Sequence, residues 1–543
     1  MAKEKNTENW VIWAGVILVF LVFLFYPLLL ILIKSFETKD VFSFANYVEV
    51  FSGKGFGEAL KNSFLISALG ALITTILAFI VAYTINFTNI NLTFKKFIRV
   101  FALLPMLLPT ITYGFAIIYS FGKQGLYTRL FGRQAFDVYG IKGLLIGYII
   151  YTLPTSFMLI NNTMIYIDKK FSIVSKVMGD KPLITFVETI LRPLIGTLAV
   201  SFIQCFFLSF TDFGIPASVG GKVEVIASIL YTEMLGSVPN FNNGAVVAII
   251  MLLPSVISFL VIKYLDRFNV RYNRILNMDN EKNTLRDIIC GLVSALIILI
   301  VLAVFAVIFI VPLVKGWPYN MTFTLDNIKK VLGNSSLSMV YKNSLFVAIL
   351  TSILGTIMVY GSALVTDRST ISNKARSVIE SIASVTNTVP GMVLGIAFML
   401  AFTGTSLQNT FAIIILCNLV HFFATPYMMM KNSLSKMNLS WEKTAKLMGD
   451  NWIKTMVRII TPNALPSLVE VFSYYFINAM VTVSAVIFLA GARTMVITTK
   501  IKELQHFAKF NEIFVLSLLI LFTNLIAKVV FQVLAKFLSR KNN

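Results

Sequence analysis

Charged side chains are scarce in this sequence, at 13% of its 543 residues, whereas a soluble domain carries about 25%. Together with a mean hydropathy of +0.82, this scarcity excludes a soluble multi-domain enzyme and a disordered chain. Histidine and cysteine are also rare, with two and three copies. Cys205, Cys290 and Cys417 lie inside apolar runs. Their spacing fits neither a metal site nor a disulfide framework.

Uncharged runs of the length that crosses a bilayer recur along the whole chain. We predict an all-α integral membrane protein with about twelve spanning helices. They lie near residues 10–33, 62–86, 98–121, 143–164, 194–214, 243–265, 288–313, 343–366, 379–402, 410–430, 467–490 and 513–537. Basic residues outnumber acidic ones by 46 to 25, and in an apolar chain this excess is typical of cytoplasmic loops rather than of nucleic-acid binding. Their distribution predicts that both termini lie inside the cell.

The chain contains an internal repeat. The recurring motifs are Phe42, Asn46 and Val50 with Phe323, Asn327 and Val331; Lys61-Asn62-Ser63 with Lys342-Asn343-Ser344; Pro109 and Gly114 with Pro390 and Gly395; and Lys176-x-Met178-Gly179-Asp180 with Lys446-x-Met448-Gly449-Asp450. The first three pairs are 281 positions apart and the last is 270 apart. We therefore predict two parallel six-helix halves, 1–266 and 288–543, joined by a cytoplasmic linker at 267–287. A transport path would run between them.

The most informative segments are two predicted inner loops, Ile173–Pro193 and Lys443–Pro466. Each is predicted to form a short amphipathic helix, a Gly-Asp break, a second helix, and then prolines before the membrane. Gly179 and Gly449 can adopt the left-handed conformation that ends a helix. Asp180 and Asp450 can cap the next helix. Such a short inner helix either lies on lipid or docks into a cytoplasmic partner.

These loops resemble the "EAA" loop of bacterial ABC importer permeases, E-A-A-x-x-x-G followed by a Leu-Pro. Gly449, Pro462 and Pro466 fall on the glycine and prolines of that pattern, and Ala445 falls on its second alanine. The Glu position holds Ile173 and Lys443, with Glu442 one residue early. The segments Ser209–Pro216 and Val483–Gly491 are similar to the fused permeases of the iron(III), phosphonate, thiamine and polyamine group.

The resemblance implies that the loops couple this chain to two ATP-binding subunits. The implied coupling residues are Ser175, Lys176, Met178, Gly179, Asp180, Glu442, Ala445, Lys446, Met448, Gly449, Asp450, Pro462 and Pro466. It also implies an external solute-binding protein, with ferric iron or a phosphonate as the favoured cargo. The chain has no P-loop motif, so ATP is expected on the partner subunits and no cofactor on this chain. The implied location is the bacterial cytoplasmic membrane.

Candidate path residues follow from the repeat and from polarity. They are Pro109, Gly114, Asp212, Pro390, Gly395, Thr482 and Ser484. Asp212 either lines the path or caps the turn that follows it. Pro109 and Pro390 mark either unwound backbone at the path or ordinary helix kinks. His421 fits a buried, hydrogen-bonded histidine better than a ligand.

Two other functional classes stay open from sequence alone. A secondary transporter with two six-helix halves would need no ATPase, but it would show charged residues deep in several helices, and this chain has few. A membrane-embedded enzyme would need a metal cluster or a nucleophile and base. The sequence shows neither, so a transport subunit without enzymatic activity of its own is the leading prediction.

Overall fold

The computed structural model describes residues 7–38, 41–265 and 283–542, which form a helical membrane protein. Within these ranges nine helices are long and apolar enough to cross a bilayer. They are Thr7–Phe36, Phe56–Phe87, Ile141–Met164, Pro182–Thr211, Phe241–Leu265, Thr284–Leu313, Ser335–Asp367, Trp452–Val481 and Phe510–Arg540. Two more candidates are bent helix pairs, Asn373–Thr388 with Gly391–Phe402 (105°) and Phe411–His421 with Ala424–Ser435 (55°). The all-α membrane fold is confirmed, whereas the count of about twelve is not, since the described residues give nine to eleven candidate spans.

The missing span is the one predicted near residues 98–121. This segment consists of a helix at Leu92–Ala102, a 3-10 turn at Leu104–Leu107 and a helix at Thr110–Phe121. Pro109, at φ −64° and ψ 144°, is extended where the second helix begins. Its repeat partner Pro390 has φ −60° and ψ 144° at the sharp break of the first bent pair. Proline offers no N–H to continue a helix, so both halves interrupt the same element.

The helices that follow the two inner loops begin earlier than predicted. The spans expected at 194–214 and 467–490 run instead from Pro182 to Thr211 and from Trp452 to Val481. The second helix of each loop therefore continues directly into the membrane. Each helix contains a π turn, Val187–Leu191 in the first and Met456–Ile460 in the second, and each π turn ends two residues before a proline. A π turn shifts the hydrogen-bond ladder by one residue, which lets the helix continue through a residue that cannot donate.

Short elements repeat in both halves. Helices at Ala45–Ser52 and Asp326–Gly333 each follow a small antiparallel hairpin, Glu37–Thr38 with Val41–Phe42 and Val314–Gly316 with Asn320–Phe323. The repeated asparagines hold these hairpins, since Asn46 Nδ2 donates to Glu37 O at 2.8 Å and Asn327 Nδ2 to Val314 O at 2.9 Å. The other short helices are Leu126–Phe131, Lys170–Val177, Gly214–Val219, Ile226–Leu235, Ser440–Leu447, the 3-10 turn Val486–Phe488 and Ile497–His506.

The two halves interlock through their first helices. Phe20 in Thr7–Phe36 packs edge-on against Phe423 of the second half, with ring centroids 4.7 Å apart. In return, Ser294 in Thr284–Leu313 shares a 2.7 Å hydrogen bond with Thr84 of the first half. The first helix of each half therefore packs against the other half, so the two halves are not independent domains.

The linker predicted at 267–287 lies mostly outside the described residues, because 266–282 are not among them. Its last residues are helical, since the helix begins at Thr284. The side chain of Asn283 caps this helix by accepting from Arg286 N at 3.1 Å. The first predicted span of the second half therefore starts at Thr284, four residues before the expected position near 288.

Candidate functional site

The first coupling loop, residues 170–186, begins with the helix Lys170–Val177 and turns at Gly179, whose φ is +87°. Asp180 N donates to Ser175 O at 3.1 Å, and Gly179 N donates to Lys176 O at 3.0 Å. This pair of bonds is a Schellman motif, which satisfies the carbonyls left over at a helix end. The sequence prediction that Gly179 adopts the left-handed conformation is confirmed.

The second coupling loop, residues 440–455, has the same backbone design. Its helix is Ser440–Leu447, and Gly449 has a φ of +83°. Asp450 N donates to Ala445 O at 3.0 Å, and Gly449 N to Lys446 O at 3.1 Å. No atom lies within 4 Å of a Cβ built on Gly179 or on Gly449. The requirement for glycine therefore comes from backbone conformation and not from crowding.

The prediction that Asp180 and Asp450 cap the following helices is wrong. The Asp180 carboxylate turns back and accepts from Ser175 Oγ at 2.6 Å. Asp450 forms an ion pair with Lys454 one turn on. In the second loop the cap is Asn451, whose side chain accepts from Lys454 N at 2.8 Å. The Schellman geometry places each aspartate just after the preceding helix, and neither carboxylate accepts from a backbone N–H at the start of the next helix.

Each coupling loop presents two apolar side chains at its turn. Val177 and Met178 are 83% and 77% exposed, and Leu447 and Met448 are 88% and 80% exposed. By contrast, the residues on the opposite face, Ser175 and Ala445, are buried. Exposed apolar side chains that recur at the same point of a repeat indicate a contact surface.

The two loops differ in what holds them to the membrane helices. Glu442 Oε1 accepts from Arg368 Nη1 at 2.8 Å, and the Arg368 side chain is completely buried at the end of the Ser335–Asp367 helix. The same guanidinium donates to Leu434 O and, at 2.6 Å, to Met437 O. In turn, Trp452 Nε1 donates to Arg368 O at 2.9 Å. Glu442 therefore points inward and supports its own loop.

In the first half an aromatic residue takes the position of this buried arginine. The repeat counterpart of Arg368 is Phe87, whose ring stacks on Tyr83 with centroids 5.5 Å apart. Phe186, in the second helix of the loop, packs edge-on against Tyr83 at 5.8 Å. An aromatic stack occupies the place that an ion pair takes in the other half.

At the opposite ends of the spanning helices lie the candidate path residues. Asp212 follows the Pro182–Thr211 helix and is 7% exposed, and its Oδ2 accepts from Ile215 N at 2.8 Å. Thr482, its repeat partner, is equally buried after the Trp452–Val481 helix. The turn-capping contact foreseen for Asp212 is present in the structure, whereas a role in lining the path stays a prediction.

The other predicted path residues gather around these two positions. A Cβ on Gly114 would meet Ser218 Oγ at 1.7 Å, and a Cβ on Gly395 would meet Ala485 O at 2.3 Å. These glycines let the helices that begin after Pro109 and Pro390 pack closely against the segments that follow Asp212 and Thr482. The structure thus sorts the seven candidates into two equivalent clusters, one in each half.

Ser484 joins the second cluster. A Cβ on Gly391 would lie 2.6 Å from Ser484 Oγ and 3.2 Å from His421 Nε2. His421 is only partly buried, and its Nδ1 has no hydrogen-bond partner among the described residues. The expectation of a buried, hydrogen-bonded histidine is therefore wrong. In the described part of the chain no group of three or more His, Cys, Asp or Glu residues could hold a metal ion.

Sequence reasoning missed a cluster where the two halves meet, the axis cluster: Phe213, Tyr231, Phe488, Lys502 and Gln505. The Lys502 ammonium lies 5.9 Å from the ring centroid of Phe213 and 5.7 Å from that of Tyr231. Gln505 Nε2 donates across the interface to Ala217 O at 2.8 Å. Burial lowers the pKa of the Lys502 ammonium. The signal in the sequence was that Tyr231 and Lys502 occupy matching positions of the repeat.

Comparison with known proteins shows which family has this architecture. The family model described as "Binding-protein-dependent transport system inner membrane component" matches residues 74–271 and 360–542, once in each half. This chain belongs to that family. It is an ABC transporter permease, a transport subunit and not an enzyme, made of two fused halves as the repeat predicted. A secondary transporter, the alternative left open by the sequence, is not retained.

Individual relatives of this permease carry iron-transport names. It is 25% identical over 91% of its length to the putative ferric transport system permease protein FbpB 1 of Haemophilus influenzae, covering 80% of that protein. It is also 25% identical over 92% of its length to the ferric transport system permease protein FbpB of Actinobacillus pleuropneumoniae, covering 74% of it. A chain in the crystal structure of a bacterial alginate ABC transporter, in complex with an alginate pentasaccharide-bound periplasmic protein, is 15% identical. The match covers 48% of the permease and 94% of that chain, with a TM-score of 0.40.

Proposed function

We propose that this permease imports ferric iron, which an external binding protein delivers and two ATP-binding subunits drive across the membrane. The observation that carries the coupling part of the proposal is the matched pair of loops, each with a glycine-terminated helix and with two exposed apolar residues at the same two positions. Two equivalent docking surfaces on one chain call for two copies of a partner, or two similar partners.

Docking suits these loops better than lying on lipid. The helices Lys170–Val177 and Ser440–Leu447 have only eight residues each. A helix so short offers little apolar area to a lipid interface. In both loops the most exposed apolar side chains, Val177 with Met178 and Leu447 with Met448, lie at the C-terminal end of the helix, and the first helix also exposes Phe171, Ile173 and Val174 less fully. A protein groove that receives an apolar tip accommodates this arrangement.

The cargo part of the proposal is supported by the names of the two relatives that cover most of the chain. A phosphonate is the other candidate from the sequence resemblance, and the uptake experiment below decides between them. ATP is assigned to the partner subunits because the sequence has no P-loop motif.

We place the coupling loops and both termini on the cytoplasmic side, where ATP is available, in the cytoplasmic membrane of a bacterium. A cysteine replacing Asn277, in the linker outside the described residues, should then resist an impermeant thiol reagent in intact cells. Val238, 88% exposed, lies at the opposite end of the membrane helices, and a cysteine there should react. Reversed labelling would invert the proposed orientation.

The function can be tested by uptake into bacterial cells that lack their own ferric importers. The permease is expressed with ATP-binding and solute-binding subunits from the same bacterium, and cells receive either radiolabelled ferric citrate or radiolabelled methylphosphonate. We expect iron uptake that requires all three components, and an ATP-binding subunit that copurifies with the permease. Uptake of methylphosphonate but not of iron would show that the cargo is a phosphonate. A permease that purifies without any ATP-binding subunit would refute the coupling role of the loops.

A further inference from the structure

Lys502 and Tyr231 are counterparts in the repeat, and they touch. The helices Ile226–Leu235 and Ile497–His506 begin in the same way: Ile226 N donates to Ser63 Oγ and Ile497 N to Ser344 Oγ, both at 2.8 Å. Tyr231 and Lys502 each lie five residues after that isoleucine. A two-fold rotation separates counterpart points by twice their distance from the axis. Because the ammonium and the Tyr231 ring are 5.7 Å apart, both lie beside the pseudo-two-fold axis.

The axis is also the line along which a cargo would pass between two parallel halves. The axis cluster lies toward the ends of the spanning helices that are remote from the coupling loops, close to the segments that follow Asp212 and Thr482. Here the halves are joined by Gln505 Nε2 on Ala217 O and by the Tyr231 and Phe488 rings, whose centroids are 6.4 Å apart. A cargo moving along the axis has to pass Lys502.

The Lys502 charge has no carboxylate partner among the described residues. Its Nζ donates to the neutral Gln505 Oε1 at 3.0 Å, and the rings of Phe213 and Tyr231 supply cation–π contact. The nearest acid along the helix, Glu503, is paired with Lys500. The Asp212 carboxylate accepts from the backbone at Ile215. A partly buried cation without a counter-charge is costly, and two aromatic rings offset only part of that cost.

We propose that the cargo passes the axis as an anion, with the Lys502 ammonium as its counter-charge. The inference rests on the proposed import function and narrows its substrate to anionic oxygen donors. Two sources have that chemistry: a free oxyanion such as a phosphonate, or ferric iron enclosed in an anionic oxygen-donor chelate. A bare ferric cation would be repelled by the ammonium. When no anion is present, the Phe213 and Tyr231 rings hold the ammonium in place.

The test measures uptake of radiolabelled ferric citrate and of radiolabelled methylphosphonate by cells expressing Lys502→Met, Lys502→Arg and Lys502→Glu. For whichever label the wild type takes up, Lys502→Met should lower the initial rate about tenfold, because a hydrogen bond to a charged group is lost. Lys502→Glu should lower it further, and Lys502→Arg should stay close to wild type. The matched control is Lys509→Met, because Lys509 is an exposed lysine close to Lys502 in the sequence. The Lys509→Met variant should transport normally.

Exchanging Tyr231 and Lys502 tests whether transport needs a cation at the axis or needs the local packing around Lys502. Lys502→Tyr should lose transport, and the double variant Tyr231→Lys, Lys502→Tyr should recover it to within about threefold, since one cation again lies at the axis. Permease abundance and copurified ATP-binding subunit are measured for every variant, so that only folded complexes are compared.

The outcomes are distinct. Wild-type uptake of a label together with equal or faster uptake by Lys502→Met would overturn the inference and leave the import function standing. An exchange variant that assembles normally but does not recover would overturn the axis argument. Uptake of neither label by the wild type, despite assembly with its partners, would overturn both proposals.

Discussion

The two coupling loops share a backbone and differ in their supports. Both end in a Schellman turn at a left-handed glycine, and both expose the two apolar residues just before that glycine. Behind the second loop stands the buried Arg368–Glu442 ion pair, and behind the first stands the stack of Tyr83, Phe87 and Phe186. The shared part is what a common partner would contact, and the unshared part is hidden from it. Fusion of the halves lets their supports diverge while their docking surfaces stay equal.

The same contrast recurs at the other end of the molecule. Ser63 and Ser344 hold the matching helices Ile226–Leu235 and Ile497–His506 with identical bonds. The side chains that meet at the axis, however, are Tyr231 from one half and Lys502 from the other. Two identical lysines there would repel each other in a partly buried site. One cation at a two-fold axis therefore requires unequal halves, which a single fused chain can provide.

The largest effect is expected from removing what the loops share. The double variant Gly179→Val, Gly449→Val forces β-branched residues into a left-handed conformation, at a cost of about 1–3 kcal/mol for each site. We expect retention of the ATP-binding subunits and cargo uptake to fall by on the order of 100-fold, with the permease still inserted in the membrane. Copurification and uptake are the measurements.

The matched control for the glycine variant is Gly404→Val. Gly404 has a φ of +78° and open space around a Cβ, like the two loop glycines, but it follows the Gly391–Phe402 helix. It should carry a similar strain without loss of the ATP-binding subunits. If the ATP-binding subunits copurified normally with the double loop variant, the loops would not be docking surfaces. Unequal effects of the two single variants would instead show that the different supports of the loops matter.

A second, smaller effect is expected from the support that only the second half has. Arg368→Met leaves Glu442 without its partner and two carbonyl groups without their donor, which should cost about 3 kcal/mol of stability. The double variant Arg368→Met, Glu442→Met should recover part of this loss, because no buried charge is left unpaired. Thermal unfolding of the purified permease measures the change.

Lys431→Met provides the comparison for Arg368, because Lys431 and Glu380 form a more exposed ion pair in the same half. Its loss should cost no more than about 1 kcal/mol. If Arg368→Met were as mild as Lys431→Met, the ion pair would not be the support of the second loop, and the contrast between the halves would reduce to a difference in surface charge.

Sequence patterns predicted two of the features that recur in both halves. The glycine turns were foreseen because only glycine readily takes a positive φ, and the helix breaks because proline cannot donate a hydrogen bond. Features made by one half alone were not foreseen. Arg368 and Glu442 are 74 positions apart with no repeated counterpart, so no local pattern signals their contact.

Helix boundaries were the other shortfall. Pro193 and Pro466 suggested that the membrane helices begin after them, but the helices begin at Pro182 and Trp452 and pass through π turns at Val187–Leu191 and Met456–Ile460. A proline marks a place where the hydrogen-bond ladder has to change. Whether the change is a break or a π turn depends on packing that the sequence does not display.

The smallest effect is expected at Asp212, where the halves differ by Asp against Thr482. Because Asp212 Oδ2 accepts from Ile215 N at 2.8 Å, Asp212→Asn keeps an oxygen acceptor in place and should leave abundance and uptake nearly unchanged. Asp212→Ala removes the acceptor and should cost about 1 kcal/mol of stability, seen as lower abundance with normal uptake per molecule. An Asn variant that is abundant yet transports poorly would instead show that the negative charge itself takes part in transport. That outcome would place an acid and the Lys502 cation on the same path, and it would make the halves unequal in charge at two positions instead of one.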